Sequence, residues 1–124
     1  MLVKKGSPIL KEVCLKKVAT FPPSEEVYDT VDLCKDELRY AKGFWKDKAM
    51  AVSAPQVGKP HIPLFIMCKK NTWYTPKMYK TFQVFLNPQI IKYSEQTVTA
   101  WEGCLSNDEE FALVERPMQV QVQF

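Results

Sequence analysis

Histidine is nearly missing from this chain: His61 is the only one in 124 residues. Any chemistry that needs two imidazoles, whether a metal site or a histidine pair, is therefore not supplied by these residues alone. Cysteine is present but unpaired in pattern. Cys14, Cys34, Cys68 and Cys104 stand 20, 34 and 36 residues apart, and no CxxC occurs. That spacing excludes a zinc ribbon and a dense disulfide scaffold, and it points to a reducing compartment, cytosolic or mitochondrial. The opening "MLVKKGSPIL" has two lysines but no apolar run long enough for a secretory signal or a membrane span, so no membrane partner is expected. Strong charge of one sign is absent too: the formal balance is +3 with both signs interspersed, which forces no nucleic-acid or membrane partner. No repeat, low-complexity tract or domain linker interrupts the chain.

What is there is ordinary for one globular domain over residues 1–124, with 46% hydrophobic and 25% charged residues. Such a length buries roughly two-thirds of its surface on folding. In "SEEVYDTVDLCKDELRYAKGFW", Val27, Val31, Cys34, Leu38, Ala41 and Trp45 recur at steps of three and four. The spacing predicts an amphipathic helix over about residues 25–45, capped by Ser24 after Pro22-Pro23, with Glu25 and Glu26 in its first turn and Gly43 loosening its end. Strand signals follow: "IPLFIMC" (62–68), "TFQVFLNP" (81–88), "TVTAW" (97–101) and "MQVQVQF" (118–124). The last alternates, with Met118, Val120, Val122 and Phe124 on one face and three glutamines on the other. Residues 69–80, "KKNTWYTPKMYK", read as a polar and aromatic loop. The fold class is α+β, one N-terminal helix packed on about six mostly antiparallel strands. One helix is thin cover for such a sheet, so an open apolar face is expected.

The stretch "EGCLS" (102–106) carries the chemistry, and three roles are open for Cys104. A nucleophile wants a histidine base, and His61, between Pro60 and Pro63 at a strand edge, reads better as a solvated loop residue. A metal ligand wants two or three further donors. A core residue wants nothing, since free cysteine is among the most buried side chains. A second stretch, "AMAVSAPQVG" (49–58), is a run of small residues that lets a ligand or backbone approach closely, and its Gln56 offers an amide to a carbonyl oxygen.

Together "GSPIL" (6–10), "AVSAPQVG" (51–58), "FLNPQII" (85–91), "EGCLS" and "VERP" (114–117) resemble, in order and spacing, the motifs of the peptide deformylases. The resemblance implies an enzyme that removes the formyl group from the N-terminal methionine of new polypeptides with a metal-bound water. It implies Cys104 as a metal ligand, and Gln56 with the backbone N–H of Leu105 as donors to the formyl oxygen. It places the substrate as an added strand along Ala51 and Val52 and beside Gly103, and pairs Glu102 with Arg116.

Departures from the family pattern bear on activity. The third motif, HExxH on a helix, supplies two histidine ligands and the general acid–base glutamate; no HExxH occurs in these residues. Alanines 49 and 51 stand where the first motif has glycines, so crowding or strain is expected there. "NDEE" (107–110) replaces an apolar loop. The chain therefore reads as a deformylase-like domain C-terminally truncated relative to the family. It is expected to act without catalysis, as a subunit of a larger assembly such as a ribosome or mitoribosome. Other protein chains would cover its open sheet face, with ribosomal RNA, reached through Lys69, Lys70 and Lys77, or the nascent chain as further partners. No cofactor is expected for this chain alone; Fe²⁺, Ni²⁺ or Zn²⁺ is expected if an HExxH segment completes the site. In that alternative the protein is a genuine deformylase. The setting expected is a mitochondrion or other organelle, or a bacterial-type cytoplasm.

Overall fold

A computed structural model describes residues 2–14, 17–42, 48–69 and 80–124, without the side chains of residues 108 and 109. The expectations for Gly43, Trp45, Lys70, Lys77 and most of the loop at 69–80 fall outside the described residues.

The helix forms where its apolar spacing places it. Helix α1 runs Glu25–Arg39, entered through Ser24, with Glu25 and Glu26 against the positive end of its dipole. The Ser24 carbonyl accepts from Val27 N–H at 3.0 Å, while its hydroxyl makes no cap. Val27, Cys34 and Leu38 are buried and Val31 packs against them. Thr30 is buried on the same face because its hydroxyl donates back to the Glu26 carbonyl at 2.7 Å, which satisfies the polar atom within the helix. The helix stops six residues short of the expected end, although Ala41 still reaches the core.

Among the described residues seven strands follow, and every pairing among them is antiparallel. β1 (Ala51–Ser53), β2 (Leu64–Cys68) and β3 (Phe82–Leu86) form a sheet in that order, leaving one edge of β1 unpaired among the described residues. β4 (Gln89–Tyr93) pairs with β7 (Val120–Gln123), and β5 (Thr97–Cys104) pairs with β6 (Asn107–Pro117). Two of these differ from expectation. Residues 107–110 open a strand rather than a loop, because a tight turn at Leu105–Ser106 folds them straight back on β5. "QIIKY" forms β4, a strand too short to show alternation. β2 also starts two residues later than "IPLFIMC" implied, since Pro63 cannot donate to a ladder.

One core joins α1 to the three-stranded sheet. Val52, Leu64, Ile66 and Cys68 face the helix, and Phe82, Val84 and Leu86 extend the face from β3. Burying one such side chain stabilises by about 1.5–3 kcal/mol. The opposite face carries Phe65 stacked on Phe85 at 4.4 Å, with Phe124 tilted on Phe85 at 4.6 Å. Among the described residues the two ribbons, with their turns, contribute only Leu105, from the β5–β6 turn, to the core. Just past β4, Ser94 extends the β4–β7 pairing: its N–H donates to the Gln119 carbonyl at 2.9 Å and its Oγ accepts from Gln119 N–H at 3.0 Å. Asn87, at φ 55°, turns β3 toward β4 and holds the N-terminal arm: its side chain accepts from Val18 N–H and donates to the Val18 carbonyl, each at 2.8 Å. No described helix is long and apolar enough to cross a membrane.

Candidate active site

Gln56 is held by its own sequence context. Ser53, Ala54, Pro55 and Gln56 spell a capping box around a single 3-10 turn over Ala54–Val57. The Gln56 Oε1 accepts from the Ser53 N–H at 3.0 Å and from the Ser53 hydroxyl at 3.1 Å. Gly58, at φ 81°, closes the turn in the left-handed conformation that glycine adopts without cost. With its oxygen engaged, the amide presents Nε2 outward, and Nε2 donates to Cys104 Sγ at 3.5 Å and to Ser106 Oγ at 3.2 Å.

Cys104 is placed by its neighbours. Leu105 is buried in the core and Ser106 is buried beside it, so the β5–β6 turn is pinned and the thiol one residue earlier is exposed. The burial that free cysteine prefers describes Cys34 and Cys68 instead. Burial and then Glu37 push the Cys34 thiol up to about 12, and burial raises Cys68 with Lys80 opposing. Cys104 lies where two hollows meet. One, of about 250 Å³, is lined by Ala49, Met50, Ala51, Gln56, Gly103 and Leu105. The other, of about 420 Å³, runs along the hairpin past Glu102, Phe111, Val114 and Arg116.

The remaining expected residues divide clearly. Arg116 grips Glu102 with two hydrogen bonds, Nε to Oε1 at 2.5 Å and Nη2 to Oε2 at 2.6 Å. These bonds hold the Glu102 carboxyl below its ordinary range. Ala51 is exposed on the open edge strand, but the Val52 side chain is core, so only its backbone can face a ligand. Ala49 is buried within the core, and neither alanine has a positive φ, so the expected strain is absent. His61 is exposed, with Nε2 2.9 Å from Glu26 Oε1. Two participants had a legible signal that spacing alone did not bring forward: Ser53, through the S-x-x-Q capping box, and Ser106, the hydroxyl of "EGCLS".

A family model described as "Polypeptide deformylase" matches residues 1–124. The chain belongs to the polypeptide deformylase family. It is 31% identical to a Bartonella tribocorum peptide deformylase over 99% of this chain and 62% of that one. It is 31% identical to the chloroplastic peptide deformylase 1A of Solanum lycopersicum over 98% of this chain and 45% of the relative. The crystal structure of a plant deformylase, PDF1B, superposes with a TM-score of 0.75 at 30% identity, covering 98% of this chain and 58% of that one. The chain thus spans about half to two-thirds of the length of these deformylases. The α+β deformylase fold is therefore present in its helix and antiparallel strands.

A catalytic metal site takes about three protein ligands. Among the described residues no group of three or more His, Cys, Asp or Glu stands together, and Glu102 is committed to Arg116. The described residues offer Cys104 and do not by themselves fit a metal ion.

Proposed function

We propose that these residues form the carbonyl-binding part of a peptide deformylase site, acting on the N-formyl group of the initiator methionine of nascent polypeptides. The observation that carries the reading is the convergence of the Gln56 amide and the Cys104 thiol, 3.5 Å apart across 48 residues of sequence. In this reading Cys104 is one ligand for Fe²⁺, Ni²⁺ or Zn²⁺, and the others come from a segment outside these residues or from another chain. The chain's own contribution is orientation. Gln56 Nε2, steered by Ser53, and the backbone N–H of Leu105, anchored by its buried side chain, donate to the formyl oxygen as it gains negative charge. Such a donor is worth about 10²–10³-fold in rate when removed from a comparable site. The unpaired edge of β1 at Ala51 and Val52 takes the peptide as a further strand, with Gly103 opposite. Glu102 and Arg116 brace the strand that carries Cys104.

A second reading draws on the exposed apolar side chains of the ribbons, Trp101 at 72% and Phe124 at 62%. There the chain is a non-catalytic subunit whose open face is covered by other chains of a larger assembly, with ribosomal RNA or the nascent chain as further partners, in a mitochondrion or another organelle. The deformylase reading suits an organelle and a bacterial-type cytoplasm equally.

The two are separated by formyl-methionyl-peptide hydrolysis and metal analysis on the protein in its native form with its partners. Stoichiometric metal with turnover that Gln56→Ala lowers about 10²-fold or more supports the enzyme. Turnover indifferent to Cys104→Ser overturns the site. No turnover from a metal-loaded assembly supports the second reading.

A further inference from the structure

Two backbone hydrogen bonds link the site to the start of the chain. Val3 N–H donates to the Gln56 carbonyl at 2.6 Å, and Lys5 N–H donates to the Ser106 carbonyl at 2.8 Å. The acceptors lie in stretches 50 residues apart, yet the donors are two residues apart on one segment. That segment is fixed at both ends. Leu2 packs against the core. After Lys5 the chain turns: Ser7 N–H donates to the Lys4 carbonyl at 3.2 Å, and Gly6 takes φ 95° at the third position, the geometry of a type II turn. The Lys5 ammonium also pairs with Glu110 on β6. Among the described residues no strand ladder joins the β1–β2–β3 sheet, beside which Gln56 sits, to the β5–β6 hairpin that carries Cys104.

We propose that residues 2–6 are a strap that sets the separation of Gln56 and Cys104, with the Lys5 backbone N–H as its positioning contact. Gln56 Nε2 reaches Sγ and the Ser106 hydroxyl at 3.5 and 3.2 Å, so a displacement of the hairpin turn by about an ångström breaks both contacts. Leu105 fixes how deep the turn sits in the core; the strap fixes where it sits along the Gln56 turn. The inference rests on Gln56 and Cys104 being the site, but its test reads their geometry and not turnover, so either can fail alone.

The test compares two variants of the chain. Lys5→Pro deletes the N–H while suiting the second position of a type II turn. Lys5→Ala deletes the ion pair with Glu110 and keeps the N–H. The readout is the Gln56 side-chain amide in ¹⁵N–¹H spectra, before and after alkylation of Cys104 with iodoacetamide, mapped by mass spectrometry. Lys5→Ala is expected to keep the wild-type cross-peaks and their shift on alkylation. Lys5→Pro is expected to shift them, with the Oε1 bonds to Ser53 kept, and to lose the response. Should the proline variant not fold, an ester in place of the Lys5 peptide N–H, introduced by ligation at Cys14, is expected to give the same loss. A folded variant lacking the N–H but keeping both the wild-type cross-peaks and their response overturns the strap.

Discussion

Ile66 and Trp101 are both large apolar residues in central positions of antiparallel strands, and the molecule treats them oppositely. Ile66 is 0% exposed beneath α1, while Trp101 is 72% exposed, opposite Leu113 on the hairpin. The contrast extends to the halves that contain them. In the sheet β1–β2–β3, alternate residues are sealed by one amphipathic helix. In the β4–β7 and β5–β6 ribbons, Ile90, Tyr93, Val98, Leu113 and Val120 meet solvent. The candidate site lies on the seam, with Gln56 from the packed half and Cys104 from the tip of the open one. The packed half supplies rigidity, through the capping box and the core that takes in Leu105 from the hairpin turn. The open half supplies the thiol and carries most of its large apolar side chains exposed.

The comparison is broken most directly by truncating each side. Ile66→Ala is expected to cost about 2–5 kcal/mol, the range for emptying a buried aliphatic site. Trp101→Ala is expected to cost about 0.5 kcal/mol or less, as at other exposed positions. Denaturant midpoints measured on both variants decide it, and equal losses would erase the distinction between the halves.

Asn87 sharpens the boundary. It anchors the N-terminal arm at the point where β3 passes into β4, so Asn87→Ala removes both side-chain bonds to Val18 and leaves its N–H and carbonyl to seek water. A loss of about 1–3 kcal/mol is expected, with Asn87→Asp, which keeps only the acceptor, falling between. Denaturant unfolding checks the order. A neutral Asn87→Ala would mean that the arm contributes nothing to the packed half.

The packed half was legible because periodicity encodes it: Val27, Val31, Cys34 and Leu38 announce one helix face, and the buried set of β2 follows from a short apolar run. The open half was legible only in part. β6 holds apolar residues of both parities, Phe111 and Leu113 on one face and Ala112 and Val114 on the other, so no alternation marks it, and the acidic start at 107–110 imitated a loop. The site was legible as motifs and not as contacts. "EGCLS" and "SAPQ" named Cys104 and Gln56 and contain the hydroxyls of Ser106 and Ser53, but the roles of Val3 and Lys5 arise from backbone hydrogen bonds that no residue type advertises. Val52 shows the converse, a motif residue whose side chain serves the core.

The smallest expected effect lies on the open half. Hydrogen bonds from Arg116 hold the Glu102 carboxyl below its ordinary range, so the stabilisation it gives is complete above the unfolded carboxylate range and is lost as pH falls through the lowered native value. Both side chains are exposed, so the contribution is small and screened by salt. Unfolding midpoints of the wild type and Glu102→Gln should differ slightly at neutral pH and converge in acid. A difference that grows on acidification would contradict the assignment.

The central claim is that Gln56 and the Cys104–Leu105 turn form one carbonyl-binding site across the seam. Titration of ¹⁵N-labelled protein with a formyl-methionyl dipeptide tests it without requiring turnover. The account predicts that the Gln56 side-chain amide and the Leu105 N–H shift together, along one binding curve, with Gly103 and Ala51 following. Shifts confined to the β4–β7 ribbon, or Gln56 and Leu105 moving on separate curves, would contradict it.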